Sequence, residues 1–167
     1  MGPMSRRKTV LVGVAAVLVP VGAGVASTSH HGWPKINGDL KMHKADQSGE
    51  LRATKLDKHN ELLGGHGNDT IRAGHVGDVL WGDYKPSGQP TTQVDRIYGG
   101  RGKDFIYASH GENLIYARGG ADQIHAHFGH GAIYCGHGDV TVFLSHRSRK
   151  VYRLHSCKRI SYKTEGH

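Results

Sequence analysis

At 167 residues the chain is expected to form one domain. Its formal net charge of +8 is unevenly placed: three positives lie at the front, a net +6 lies in residues 144–167, and residues 27–143 sum to −1. That distribution argues against a uniformly basic nucleic-acid-binding domain and leaves a near-neutral centre between two basic ends.

Residues 1–26 read as an export signal. Arg6, Arg7 and Lys8 form a basic start, and the run from Val10 to Val21 is apolar. Gly24-Val25-Ala26 supplies the small residues of a cleavage site. The apolar run is too short for a comfortable membrane span, so no transmembrane segment is expected in the mature form; an uncleaved anchor is the alternative. Ser5-Arg6-Arg7 is similar to a twin-arginine signal, although Thr9-Val10 stands where an aromatic residue would strengthen the match. A secreted or cell-surface location follows, and with it nucleic acid becomes the least expected partner.

Residues 27–54 form a polar lead-in with little periodicity, in which Gly49-Glu50-Leu51-Arg52 starts a first imperfect strand. Beyond it the chain repeats. Gly64-Gly65-His66-Gly67-Asn68-Asp69-Thr70-Ile71-Arg72 returns as Gly99-Gly100-Arg101-Gly102-Lys103-Asp104-Phe105-Ile106-Tyr107. The apolar eighth position runs through Leu62, Ile71, Leu80, Ile97, Ile106, Ile115, Ile124, Ile133 and Val142. Every step is nine residues except Leu80 to Ile97, which is longer by eight. Residues 55–143 are thus nine nonapeptides with an insertion inside 82–94, where Pro86, Ser87, Gly88 and Pro90 mark a loop. Such a period specifies a solenoid.

The residues around each eighth position are β-branched or aromatic and read as short strands between glycine turns. Side chains alternate faces along a strand, so the eighth position points inward and the seventh and ninth point out. With two strands per coil, ninth positions two units apart stack. Trp81, Tyr107, His125 and Phe143 form one outer ladder, and Tyr98, Tyr116 and Tyr134 another. The ladders are read as cross-strand packing, with an aromatic platform for sugars or a partner protein as the alternative.

The sixth position carries Asn60, Asp69, Asp78, Asp95, Asp104, Asn113, Asp122, Gly131 and Val140. Units two apart lie one above the other, so Asp69 stacks with Asp95, Asp78 with Asp104, and Asp104 with Asp122. Glycine turns let carbonyl oxygens converge beside these carboxylates, an all-oxygen donor set of the kind Ca2+ takes. One isoleucine per unit contributes roughly 1.5–3 kcal/mol. That is less than the cost of ordering nine residues, so folding is expected to need the ion.

The array resembles the hemolysin-type, or repeats-in-toxin, calcium-binding family over residues 55–143. The resemblance implies a right-handed parallel β-roll. It also implies Ca2+ held by the carboxylates of Asp69, Asp78, Asp95, Asp104 and Asp122 and by the turn backbone around Gly65, Gly67, Gly100, Gly102 and Gly120, with Asn113 a weaker ligand. Val76 replaces the fourth-position glycine of one unit, and Gly131 and Val140 replace aspartate, so two or three sites are expected. The insertion is placed to disturb the Asp69–Asp95 pair.

Residues 144–167 form a basic cap, with Val151–Leu154 and Arg159–Tyr162 as candidate closing strands. An acidic cell-envelope polymer or glycan is the partner its charge would suit. The chain's two cysteines, Cys135 and Cys157, read as a disulfide in an exported protein. A zinc site with His137 and His155 is the alternative. Fourteen histidines, among them His66, His75, His110 and His137 at third turn positions and His127 and His130 in another turn, read as exposed polar turn residues. No nucleophile elbow or phosphate-binding loop occurs, so no enzymatic activity is expected. The leading reading is an exported calcium-binding β-roll; the alternative is an adhesive, polyanion- or glycan-binding surface module with degenerate calcium sites.

Overall fold

The structure, a computed structural model, describes residues 32–44, 46–84 and 88–163. The export signal expected at residues 1–26 lies outside the described residues.

Successive strands alternate between two sheets, as a nine-residue repeat with two units per coil requires. One sheet contains β1 (Leu40–Met42), β3 (Glu61–Leu63), β5 (Val79–Trp81), β7 (Phe105–Tyr107), β9 (Gln123–Ala126), β11 (Thr141–Leu144) and β13 (Arg159–Ser161), in that order. The other contains β2 (Gly49–Arg52), β4 (Asp69–Arg72), β6 (Val94–Tyr98), β8 (Glu112–Tyr116), β10 (His130–Tyr134) and β12 (Tyr152–His155). Every pairing is parallel, so the chain is an all-β solenoid. The only helical element among the described residues is a 3-10 turn at Ser148–Lys150.

The inward eighth positions pair in register: Leu62 with Leu80, Leu80 with Ile106, and Ile106 with Ile124 in one sheet; Ile71 with Ile97, Ile97 with Ile115, and Ile115 with Ile133 in the other. All eight of these side chains are fully buried. The core is therefore two facing ladders of aliphatic side chains, one residue thick per strand.

The sheets run past residues 55–143 at both ends. At the front, β1 and β2 lie inside the segment read as a lead-in. Lys41 pairs with Leu62, and Leu51 with Ile71, so each holds an eighth position. Their steps of ten and eleven residues, with a lysine in place of an aliphatic residue, hide the period in the sequence. The lysine is tolerated because β1 is the last strand of its sheet: Lys41 Nζ reaches the Arg52 carbonyl at 2.8 Å and Asp39 at 3.4 Å. At the far end β12 and β13 continue the stack, and a Cys135–Cys157 disulfide, with Cα atoms 5.1 Å apart, ties the end of β10 to the link between them.

The insertion does not break the register. Ile71 still pairs with Ile97, and the loop folds back so that Gln89 meets His110 and the Gln93 carbonyl accepts from Glu112 N–H at 2.8 Å.

Both aromatic ladders are present. Trp81, Tyr107, His125 and Phe143 stack at 4.1, 4.7 and 4.7 Å between ring centroids. Tyr98, Tyr116, Tyr134 and His155 stack at 5.0, 4.7 and 4.3 Å. The first ladder is strapped by the segment before β1: Trp33 packs edge-on against Trp81 and Tyr107 and donates Nε1–H to the Tyr107 hydroxyl at 2.8 Å.

Candidate metal centre

Each sixth-position side chain sits where a glycine turn enters a strand, and it is buried there. Asp69, Asp78, Asp95, Asp104 and Asp122 expose at most 1% of their surface. Alternation of strands sorts them onto two edges of the solenoid. On one edge a continuous relay runs from coil to coil. Asp39 N–H donates to Asn60 Oδ1 at 2.7 Å, Asn60 N–H to Asp78 Oδ1 at 2.6 Å, Asp78 N–H to Asp104 Oδ1 at 2.8 Å and Asp104 N–H to Asp122 Oδ1 at 2.8 Å. On the other edge Asp69 N–H donates to Asp95 Oδ1 at 2.9 Å, across the insertion.

The second oxygen of each group turns back to its own turn. Gly65 N–H donates to Asp69 Oδ2, Gly74 N–H to Asp78 Oδ2 and Gly100 N–H to Asp104 Oδ2, at 2.9, 2.6 and 2.6 Å. The insertion removes that donor from Asp95, and Gln93 Nε2 replaces it at 3.3 Å. In the Asp122 turn the equivalent residue is Arg118, at φ 72°, and Asp122 Oδ2 is buried with no hydrogen-bond partner among the described residues.

Glycine is required in these turns by the closeness of the coils. A side chain at Gly102 would strike the main chain of Val76 and Gly77, and one at Gly120 would strike the main chain of Gly102. Gly67 likewise rests on the main chain of Gln47 and Ser48.

Stacking carboxylates in a dry edge has an electrostatic consequence. Burial pushes Asp104 up to about 8; the neighbouring Asp122 and Asp78 add to the rise, and the Gly100 and Asp78 N–H groups oppose it. Burial raises Asp95 to about 7, with Asp69 and Asp83 contributing, and raises Asp122 to about 7. Asp78 is raised by the same cause.

A model of the RTX calcium-binding nonapeptide repeat matches the chain in four copies, over residues 57–80 and 91–130. The middle coils of the solenoid thus carry RTX calcium-binding repeats. No curated protein and no solved structure matches the chain.

RTX repeats bind Ca2+, and the residues of these turns fit that ion. The donors are oxygens only. A carboxylate has about four lone-pair sites and these accept three N–H bonds at most, as at Asp78, so each retains capacity for a cation. A divalent charge between stacked aspartates also offsets the burial, and at Asp104 and Asp95 the repulsion, that hold their protons on. Among the described residues no three His, Cys, Asp or Glu side chains converge on one point. A cation at these turns would have a carboxylate pair within reach and would need main-chain oxygens to complete its shell.

Three side chains outside the expected ligand set close the columns. His43 Nδ1 lies 2.7 Å from Asp69 Oδ1, filling the space that the missing side chain of Gly49 would take. Asn60 Nδ2 donates to Asp78 Oδ1 at 2.9 Å and to the carbonyls of Lys55 and Lys58. Tyr152 reaches past Gly131 to Asn113, whose Nδ2 lies 3.0 Å from its hydroxyl; the hydroxyl donates to the Phe128 carbonyl at 2.9 Å. Glycine at the sixth position of two units was the available signal, since an empty slot in a packed column invites a neighbour. The histidines differ among themselves: His75 and His137 are exposed as expected, whereas His66 lies half-buried with Nε2 3.6 Å from Asp83.

Proposed function

We propose that the protein is an exported calcium-binding β-roll whose folding is completed by the ions it takes up. Asp78 with Asp104, and Asp104 with Asp122, hold ions on one edge; Asp69 with Asp95 holds one on the other. The turn main chain around Gly65, Gly67, Gly100, Gly102 and Gly120 supplies the remaining oxygens. Asn113 is a neutral end to its column, because both of its amide hydrogens are directed at protein oxygens.

The observation that carries this reading is the Asp78–Asp104–Asp122 stack, three buried carboxylates in consecutive coils of one edge. Inside a cell calcium is scarce, and extracellular modules use weak sites where it is plentiful. A leader at residues 1–26 would deliver a loose chain to that supply. The act is binding, and no catalytic role is assigned.

Circular dichroism of the mature chain in chelator and in millimolar calcium tests the coupling. Strand signal is expected to rise with calcium, and calorimetry is expected to show heat of ion uptake. Identical spectra with measurable uptake would remove the folding claim alone; absence of uptake would remove the site.

A further inference from the structure

The two outer faces of the solenoid are not equivalent. The face bearing Trp81 and Tyr107 is strapped by Trp33. On the opposite face Arg96, Tyr134 and Arg153 are exposed, and two rows of side chains run along it. The ninth-position row is Arg52, Arg72, Tyr98, Tyr116, Tyr134 and His155; beside it, Arg96 on β6 and Arg153 on β12 stand at seventh positions.

The charge on this face is one-sided. Glu50 is satisfied by Arg52 and Arg72, each at 2.8 Å. Arg96, Arg118 and Arg153 are exposed, and no carboxylate forms an ion pair with them among the described residues. Arg96 and Arg118 flank Tyr98 at one end of the tyrosine row, and Arg153 beside His155 marks the other. Three strand spacings separate β6 from β12, about 14 Å.

The tyrosine rings have no free faces. They lie within 7° of parallel; the outer face of Tyr98 is covered by the Arg72 guanidinium at 4.1 Å, and that of Tyr134 by His155 at 4.3 Å. Bases of a single-stranded nucleic acid need an open ring face to stack on, and the tyrosines offer none. What remains is ring edges and a row of phenol hydroxyls, none of which has a hydrogen-bond partner among the described residues. These groups suit a ligand rich in hydroxyls that also carries anions.

We propose that this face binds a linear acidic polysaccharide along the solenoid axis. Arg96, Arg118 and Arg153 take its carboxylate or sulfate groups, and the hydroxyls of Tyr98, Tyr116 and Tyr134 bond to its sugar hydroxyls. The binding is independent of which carboxylates hold calcium, and requires only that the solenoid be folded.

The test uses the full mature chain in millimolar calcium, titrated with chondroitin sulfate oligosaccharides, neutral dextran and oligo-deoxythymidine. Binding to the sulfated glycan is expected, weakening with salt and absent for dextran. Arg96→Ala with Arg153→Ala is expected to weaken it roughly tenfold, as loss of charge-assisted hydrogen bonds would. Tyr116→Phe keeps the stack and removes a hydroxyl, so a several-fold loss is expected. Arg147→Ala with Arg149→Ala, in the basic cap, is expected to leave affinity unchanged. The proposal is overturned by no binding, by equal binding of oligo-deoxythymidine, or by loss that follows the cap variant instead of the face variant. Circular dichroism of each variant confirms that the fold is retained.

Discussion

Asp78 and Asp104, in consecutive coils of one edge, are joined by a 2.8 Å hydrogen bond from the backbone N–H of the first to Oδ1 of the second. Asp104 in turn donates its own N–H to Asp122, so its carboxylate stands between two others. Asp104→Ala removes the acceptor of two buried N–H groups, those of Asp78 and Gly100, at about 1–3 kcal/mol each. It also removes the ligand shared by two proposed ions. Titration calorimetry is expected to show a larger drop in calcium stoichiometry for Asp104→Ala than for Asp69→Ala, whose carboxylate has one stacked acidic partner. Equal losses would contradict the shared position.

The raised carboxylates set a pH dependence with a definite sign. In the unfolded chain an aspartate loses its proton near 4, whereas Asp104 in the fold holds it up to about 8, and Asp95 and Asp122 up to about 7. Between those values the folded state binds more protons than the unfolded one, so stability falls as pH rises. In chelator, the melting temperature is expected to decline from about pH 4 toward pH 8. Calcium affinity should climb across the same window, with proton release on binding, visible as a buffer-dependent heat. A metal-free chain that gains stability over this range would show that the carboxylates are ionised and satisfied without a cation.

The repeat was legible because each unit carries its own signals: glycine before Asp69 and Asp104, an aliphatic residue two positions on and, in most units, an aromatic one after it. Those local signals fixed the two-sheet stack, the ladders and the pairing of Asp78 with Asp104. Of the end strands, β2, β12 and β13 were legible and β1 was not. Lys41 occupies an inward position that only a terminal strand accepts, and the extra residues before Leu51 and Leu62 shift the period. Nor were the fillers legible. His43 and Tyr152 act at Gly49 and Gly131 through coil stacking, and no fixed sequence offset announces which residue will enter an empty slot. The insertion, expected to disturb Asp69 and Asp95, leaves their bond intact because its ends return to the same coil and Gln93 replaces the lost turn donor.

Asn113 offers a test of how an ion-binding turn differs from a neutral one. Its Nδ2 lies 3.0 Å from each of the Ser109 and Gly111 carbonyls, and Oδ1 accepts from Ser109 N–H at 2.9 Å. Asn113→Asp sets an acceptor against two carbonyls, leaving buried oxygens unpaired at a cost of about 1–3 kcal/mol in chelator. The same three oxygens then face one another as a donor set for a hard cation. Thermal melts are expected to show a larger loss in chelator than in calcium. An equal loss in both would mean that this turn, closed by Tyr152, admits no ion.

The disulfide holds one end of the stack, where the core thins. Beyond Val142 the inward positions pass to Leu154 and Ile160, and Ile160 is 38% exposed. Cys135 is buried directly after β10, and Cys157 joins it from the link between β12 and β13, so the bond closes over the two terminal strands at this end of the stack. The chain-entropy model assigns about 3 kcal/mol to a loop of this size. Replacing both cysteines with serine is expected to cost about that much and to act locally. Tyr152–His155 and Arg159–Ser161 should lose amide protection first, while β4 to β9 keep theirs wherever calcium is present. Uniform loss of protection along the whole stack would mean instead that the cap nucleates the roll, and that the ions alone do not hold its middle coils.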